Sequence, residues 1–445
     1  MANILVAACP APGHVNPMLS VAQHLSSIGH SITFLSGTLF RDQATALGFR
    51  FVPLSGKANI NYMRLDEELP ERAAAYAKPG PEALNAECRY TGIDPIPDQY
   101  RAIRQILAEG PVDLILTDIY FWGVFPLLLG ARDARPPVVT FGVLPLIVSS
   151  RDVGPFSGPD TSPNGLLRNQ QETQQFHAML QPAATHFNEV LHSCGAPDLP
   201  EFFMDCAVHL PDHFLELTAE AFEYPRTDLK GSIQFIGNLM PRTQRKNSMP
   251  DWWDSLDKSK PVVLVTQGTI ANRDLSQLIE PSIAALADEK MTVIVAAGRP
   301  DLEVIQLPGG VKPANTKIEN FIPFEQILPK VDVFVTNGGF GSVNLSLSKG
   351  VPMVVAGDTE DKIFTASRVR WTGTGINLET GRPTGEQVRT AVREVLADKK
   401  YKRNATKLKK EFARYNAFDL ITKVVNSVLA SRNADEFVAT AGRQG

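Results

Sequence analysis

The most constraining stretch of the chain is Val331–Lys362, VDVFVTNGGFGSVNLSLSKGVPMVVAGDTEDK. Its β-branched opening, Val331–Thr336, reads as a buried parallel strand. The turn Asn337-Gly338-Gly339-Phe340-Gly341-Ser342 feeds a predicted helix from Ser342 to Lys349. Gly350 and Pro352 end that helix before a second strand, Met353–Ala356. A Gly-rich turn at a helix start presents backbone N–H groups backed by the positive end of the dipole, a seat for phosphate or another anion. The polar loop Asp358-Thr359-Glu360-Asp361-Lys362 follows the next strand. Phosphate at one strand end and hydroxyl-binding side chains at its neighbour point to a phosphorylated sugar. Glycines chosen only for close packing are the alternative for this motif taken alone.

The same alternation of strand and helix pervades the chain. Strands are expected at Asn3–Cys9, Ser31–Ser36 and Phe49–Val52, with helices over Asn16–Ser27 and Arg41–Leu47 between them. Asn16-Pro17 supplies a good N-cap and N1 pair for the first helix. Residues 57–98, punctuated by prolines, read as an irregular surface insertion. A helix over Gln99–Ala108, a strand at Leu114–Thr117, a helix over Trp122–Ala134 and a strand at Val138–Phe141 come next. A second insertion, 144–201, holds a mobile loop at Arg151–Gly165 and one long helix within Arg168–Cys194. Strands near Phe214–Leu217 and Ile233–Ile236 close this half.

A length of 445 residues exceeds what one core usually supports. The polar stretch 240–260 is the expected linker, so residues 1–239 form one domain and 261–430 a second, with 431–445 a tail and the last helices able to pack back on the first domain. The second half restarts with a strand at Val262–Thr266, a helix over Leu275–Ala287 and a strand at Val293–Ala296. It ends in helices near Gly385–Ala397, Tyr401–Tyr415 and Leu420–Ser431. The expected fold class is α/β: two doubly wound parallel sheets facing across a cleft at their strand carboxyl ends, where ligands of such sheets bind.

Several function classes are disfavoured. A net charge of −4 and a pI near 6.1 give no electrostatic case for nucleic acid. No run of about twenty apolar residues occurs to span a membrane. The apolar N-terminus lacks a basic leader region and is broken by Pro10 and Pro12, so it reads as a strand and not a signal peptide. Cys9, Cys88, Cys194 and Cys206 have no metal-ligand spacing and read as reduced thiols of a cytoplasmic protein. No GxSxG elbow seats an acyl-transfer nucleophile, and no GxGxxG follows the first strand for a dinucleotide.

The first turn instead carries Cys9-Pro10-Ala11-Pro12-Gly13-His14-Val15-Asn16-Pro17. Asp118 follows the strand Leu114–Thr117. In a sheet of order 3-2-1-4-5, strands one and four are neighbours, so His14 and Asp118 are predicted side by side at the switch point. An aspartate accepting from Nδ1–H fixes the histidine tautomer and stabilises the imidazolium, which makes a general base for a hydroxyl nucleophile. A capping histidine beside an unrelated aspartate is the alternative. Tyr120, Phe121 and Trp122, with Phe141 and Leu144 after the next strand, could line an apolar acceptor pocket or be ordinary core.

Taken together, Gly13-His14-Val15-Asn16-Pro17 and the region Phe321–Ala366 resemble the GT1 family of UDP-dependent glycosyltransferases, of the microbial natural-product or flavonoid type. The similarity runs through nearly the whole chain and is weakest in the two insertions. It implies the two-domain GT-B fold, with His14 as catalytic base and Asp118 as its activator. It implies Phe321 stacked on uracil, Ile322 offering backbone groups to the base, and Gly268 and Thr269 at the diphosphate. Asn337, Gly339, Phe340, Gly341 and Ser342 would surround the phosphates, and Asp361 and Lys362 would bind the hexose hydroxyls. Three positions depart from the common pattern: Asn337 replaces a histidine, Leu345 a ribose-binding glutamate, and Lys362 a glutamine.

The expectation is therefore an inverting hexosyltransferase, with glucose the first candidate sugar. A UDP-sugar is its co-substrate and a small lipophilic, phenolic molecule its acceptor; no metal or other cofactor is expected. A UDP-sugar epimerase or hydrolase, or a non-catalytic UDP-sugar-binding module, is the alternative.

Overall fold

A computed structural model of the protein describes residues 1–76, 80–239, 249–257, 259–268, 272–299 and 301–441, so the expected linker 240–260 falls in part outside them. The chain forms two compact units. The first comprises Met1–Leu217, Pro225–Arg242 and Asn416–Gly445; the second comprises Thr218–Tyr224 and Thr243–Tyr415.

In the first unit the strands are β1 (Asn3–Ala7), β2 (Ser31–Ser36), β3 (Arg50–Pro53), β4 (Leu114–Asp118), β5 (Val138–Gly142), β6 (Val153–Gly154), β7 (Gly158–Pro159), β8 (His213–Glu216) and β9 (Ile233–Phe235). Seven of them make one parallel sheet in the order β3-β2-β1-β4-β5-β8-β9, while β6 and β7 form a small antiparallel ribbon. The central strands are near-continuous apolar runs buried on both faces, as a parallel sheet covered by helices requires. The pairing Ala7↔Thr117 puts the carboxyl ends of β1 and β4 side by side.

The C-terminal helix Ala417–Ala441 belongs to this unit. Its Ile421, Val425 and Val428 join the core formed by Val15, Met18, Leu19 and Ala22 of the helix Pro12–Ser27. His24 Nε2 lies 2.7 Å from Thr422 Oγ1, and the His24 and Phe418 rings are 4.7 Å apart. His24 is thus structural.

The second unit is a six-stranded parallel sheet. It contains β10 (Val262–Thr266), β11 (Thr292–Ala296), β12 (Thr316–Glu319), β13 (Val333–Thr336), β14 (Met353–Val355) and β15 (Gly375–Asn377), in the order β12-β11-β10-β13-β14-β15. The strap Thr218–Tyr224 is fastened into it. Thr218 Oγ1 donates to Asn344 Oδ1 at 2.5 Å, and Ala219 and Phe222 are core residues. Both Glu223 oxygens accept from Arg368, at 2.6 and 2.8 Å, and the Arg368 guanidinium lies over the Tyr224 ring. Both charges are almost fully buried, and removing one partner of such a pair usually costs about 3–5 kcal/mol.

Several element expectations are corrected, and proline is the common reason. The described residues within 57–98 are not irregular. Pro70 and Pro81 open the helices Pro70–Tyr76 and Pro81–Glu87, and Pro97 sits in the first turn of Ile96–Glu109, so residues read as breakers are helix starters. The segment Arg151–Gly165 contains the β6–β7 ribbon. The long helix of the second insertion is two, Pro163–Met179 and Gln181–Ser193, parted where Pro182 cannot continue the first. Trp122–Ala134 is a 3₁₀ turn, a four-residue helix at Phe125–Leu128 and another 3₁₀ turn. The first helix begins at Pro12 and not Asn16, with Pro17 inside it.

Candidate active site

That early helix start places His14 in the first helical turn, beside the end of β4. His14 Nδ1 lies 2.7 Å from Asp118 Oδ1. The Asp118 side chain is fully buried and accepts two backbone N–H groups besides, from Cys9 to Oδ2 at 2.7 Å and from Tyr120 to Oδ1 at 2.9 Å. Three donors on one buried carboxylate fix its plane and therefore the histidine's orientation. Because Nδ1 is committed to Asp118, Nε2 is the nitrogen left to take a proton.

In the second unit, the turns after β10, β13 and β14 are drawn together because these strands are neighbours. Gly268 has φ +77°, and a Cβ there would meet the Asn337 amide. Asn337, buried, donates from Nδ2 to the Gln267 carbonyl at 2.7 Å. A Cβ on Gly338, at φ +86°, would lie 2.6 Å from Val355 Cγ1, and one on Gly357 would lie 2.1 Å from the Asn337 carbonyl oxygen. Only glycine lets these three turns approach so closely. Gly339 is the N-cap of the helix Phe340–Lys349, whose first N–H groups are the ones the sequence assigns to an anion, and Gly350 ends it at φ +74°. Ser342 Oγ donates to the Gly339 carbonyl at 2.8 Å, and Gly341 has open space on its Cβ side.

The side chains of Phe340 and Ile322 are core, 4% and 2% exposed, so each can offer a ligand only its backbone. Phe321 is 40% exposed after the edge strand β12. Lys362 is buried and its ammonium pairs with Glu360, so it is not simply a free donor for sugar hydroxyls. Glu360 reaches it from a left-handed φ of +51°, a conformation that costs a non-glycine residue about 1 kcal/mol. Asp361 begins the helix Lys362–Trp371 as its N-cap. Leu345 packs beside the second core. Thr269 lies outside the described residues.

The expected acceptor pocket is corrected in part. Phe121 and Phe141 are 0% exposed and Trp122 2%, so these three present no surface to a ligand. Trp122 is buried by packing on Phe187 and Phe203, and Phe141 by its place within β5, in the main core. Leu144 packs partly buried against that core. Tyr120 alone stands beside the histidine, with ring centroids 6.0 Å apart.

Sequence reasoning missed a polar group next to this pair, made of Cys9, Tyr62, Arg72, Glu87 and Thr91. Its one local trace was the i, i+4 spacing of Glu87 and Thr91, whose helix was not anticipated. Burial first, then the Asp118 charge, pushes the Cys9 thiol well above its ordinary range, and burial does the same to the Tyr62 phenol. Among the described residues no three His, Cys, Asp or Glu side chains gather as a metal would need, and no helix is long and apolar enough to cross a membrane.

The chain is similar to known proteins along nearly its whole length. Residues 279–426 match the erythromycin biosynthesis protein CIII-like C-terminal domain. The chain is 36% identical over 440 residues to UDP-glycosyltransferase 2 of Phaeomoniella chlamydospora, covering 96% of each. It is 35% identical to 4'-demethylrebeccamycin synthase of Lentzea aerocolonigenes, covering 95% of this chain and 100% of that one. The crystal structure of the kitacinnamycin glycotransferase superposes with a TM-score of 0.72 at 18% identity, over 96% of this chain and 98% of that one, a likeness of fold. Two doubly wound parallel units make up the GT-B fold of the glycosyltransferases. The chain belongs to the GT1 family of UDP-dependent glycosyltransferases, of microbial natural-product type.

Proposed function

We propose that the protein is an inverting transferase that moves a hexose, glucose first, from a UDP-sugar to a hydroxyl of a small lipophilic, phenolic acceptor. The observation that carries this reading is the 2.7 Å contact of His14 Nδ1 with Asp118, which leaves Nε2 to act as base. The acceptor O–H gives its proton to His14 Nε2 as the oxygen bonds to the anomeric carbon, and the bond from that carbon to the UDP oxygen breaks on the opposite face. A positioned base of this kind is worth about 10²–10⁴ in rate.

The first unit takes the acceptor and the second the donor. Charge developing on the leaving diphosphate is met by the first N–H groups of Phe340–Lys349, with Gly268, Gly339, Gly341 and Ser342 beside it. No step in this scheme requires a metal ion. Phe321 is the platform for the uracil ring, and Asp361 meets the hexose hydroxyls. Lys362, paired with Glu360, orients that loop. The Tyr120 ring beside His14 favours a planar acceptor, and a phenol also ionises more readily than an alkanol.

The test is incubation with several UDP-sugars and a panel of phenols, read by mass spectrometry. The expected product is an acceptor carrying one added hexose together with free UDP. Free sugar without glycoside would make the protein a hydrolase. Saturable UDP binding without turnover across the panel would make it a binding module.

A further inference from the structure

Two hydrogen-bonded chains run from the surroundings of Asp118 into the first insertion, and both end on Thr91. In one, Tyr120 Oη lies 3.1 Å from Thr91 Oγ1. The single hydroxyl proton of Thr91 is already directed to Glu87, whose carbonyl oxygen and Oε1 are 2.6 and 3.0 Å away. The Tyr120 hydroxyl is therefore the donor to Thr91. Arg72 Nε grips the other Glu87 oxygen at 2.6 Å, from a residue that is itself buried. In the second chain, Tyr62 Oη donates to the Thr91 carbonyl at 3.4 Å. That leaves the Cys9 thiol as donor across its 3.3 Å contact with Tyr62 Oη.

The chains start at the two residues that hold Asp118. The backbone N–H of Cys9 reaches Oδ2, and that of Tyr120 reaches Oδ1. The side chains of the same two residues are tied, through these chains, to one threonine that is 1% exposed. Thr91 sits in the π-helical turn Cys88–Ile93, a rare geometry that re-aims a side chain out of the ordinary helical register. All these hydroxyls and the thiol stay protonated: burial, then neighbouring Cys88 and Glu87, pushes the Tyr120 phenol well above its ordinary range, as burial does for Tyr62 and Cys9. The direction of each hydrogen bond is then fixed, and the clamp has one arrangement.

We infer that Thr91 is a positioning residue for the His14–Asp118 pair: it anchors Cys9 and Tyr120, whose backbone N–H groups set the plane of the Asp118 carboxylate. The inference rests on the reading of His14 as base. Thr91 reaches no reacting atom and acts through the carboxylate that fixes the imidazole.

Thr91→Val keeps the side-chain shape and removes the hydroxyl that bonds Tyr120 and Glu87, while the Thr91 carbonyl that meets Tyr62 stays; Thr91→Ser returns the hydroxyl. Thr91→Val is expected to lower kcat about tenfold with KM for the UDP-sugar unchanged, and Thr91→Ser to stay within about twofold of the parent. Tyr120→Phe removes the same link from its other end, so the double variant T91V/Y120F should be no slower than the slower single variant. A T91V enzyme with parental kcat, or single effects that multiply in the double variant, overturns the inference. If T91V does not fold, Tyr62→Phe with Tyr120→Phe tests both chains: parental kcat in both variants overturns it. His14→Ala separates the two levels. Full turnover in H14A refutes the base and the inference with it, whereas an inactive H14A beside an unimpaired T91V refutes the positioning role alone.

Discussion

The His14–Asp118 pair of the first unit and the clustered turns of the second hold their reactive geometry in opposite ways. The pair is made of side chains 104 residues apart, with the Asp118 carboxylate held by the backbone N–H groups of Cys9 and Tyr120. The turns are made of backbone, brought close by glycines whose missing Cβ atoms leave the necessary room. A site made of side chains fails when a group is taken away. A site made of backbone fails when a group is added.

The largest expected effect sharpens the first half of that contrast. His14→Ala should lower transfer about 10²- to 10⁴-fold while UDP affinity, measured by calorimetry, stays near parental. Near-normal turnover would break the comparison outright. Asp118→Asn changes no volume but offers Nδ1–H a neutral amide, so kcat should fall on the order of 10²-fold with substrate affinity retained. On the backbone side, Gly357→Ala forces a methyl against the Asn337 carbonyl, 2.1 Å from where the Cβ would stand. It should cost about 2 kcal/mol in denaturant unfolding and weaken UDP binding. Asn337→Ala leaves the buried Gln267 carbonyl without its amide donor, for about 1 kcal/mol in the same measurement. Gly341→Ala meets nothing within 4 Å and sits in a helical first turn. Its unfolding midpoint should hold or rise slightly, because alanine favours the helix by up to about 1 kcal/mol. A Gly341→Ala variant as damaged as Gly357→Ala would show that glycine serves these turns through flexibility and not through space.

What could be read from the sequence follows the same division. Strand positions and the neighbouring ends of β1 and β4 were legible because parallel sheets demand long apolar runs and a fixed crossover order. The juxtaposition of His14 and Asp118 followed from that order alone. The Gly-rich turn was legible because backbone requirements are written locally, in glycines. Side-chain burial was not, since Tyr120, Phe121 and Trp122 are equally aromatic and only packing decides which of them faces His14. The prolines misled because one residue type both stops a helix and starts one, and Pro12, Pro70 and Pro81 do the second. The clamp on Thr91 ties residues 9, 62 and 120 to it through single hydrogen bonds, and apart from the i, i+4 spacing of Glu87 and Thr91 no local pattern records such pairings.

The strap Thr218–Tyr224 and the helix Ala417–Ala441 have a practical consequence for recombining enzymes of this family. The second unit is not a contiguous cassette. A chimera joined once, between residues 240 and 260, would import a foreign helix into the core beneath His14 and set a foreign residue against Glu223. Each error strikes far from the graft, and the resulting inactivity would be blamed on sugar specificity. Exchanging the second unit cleanly requires three seams, after Leu217, after Tyr224 and after Tyr415, in addition to the one in the linker.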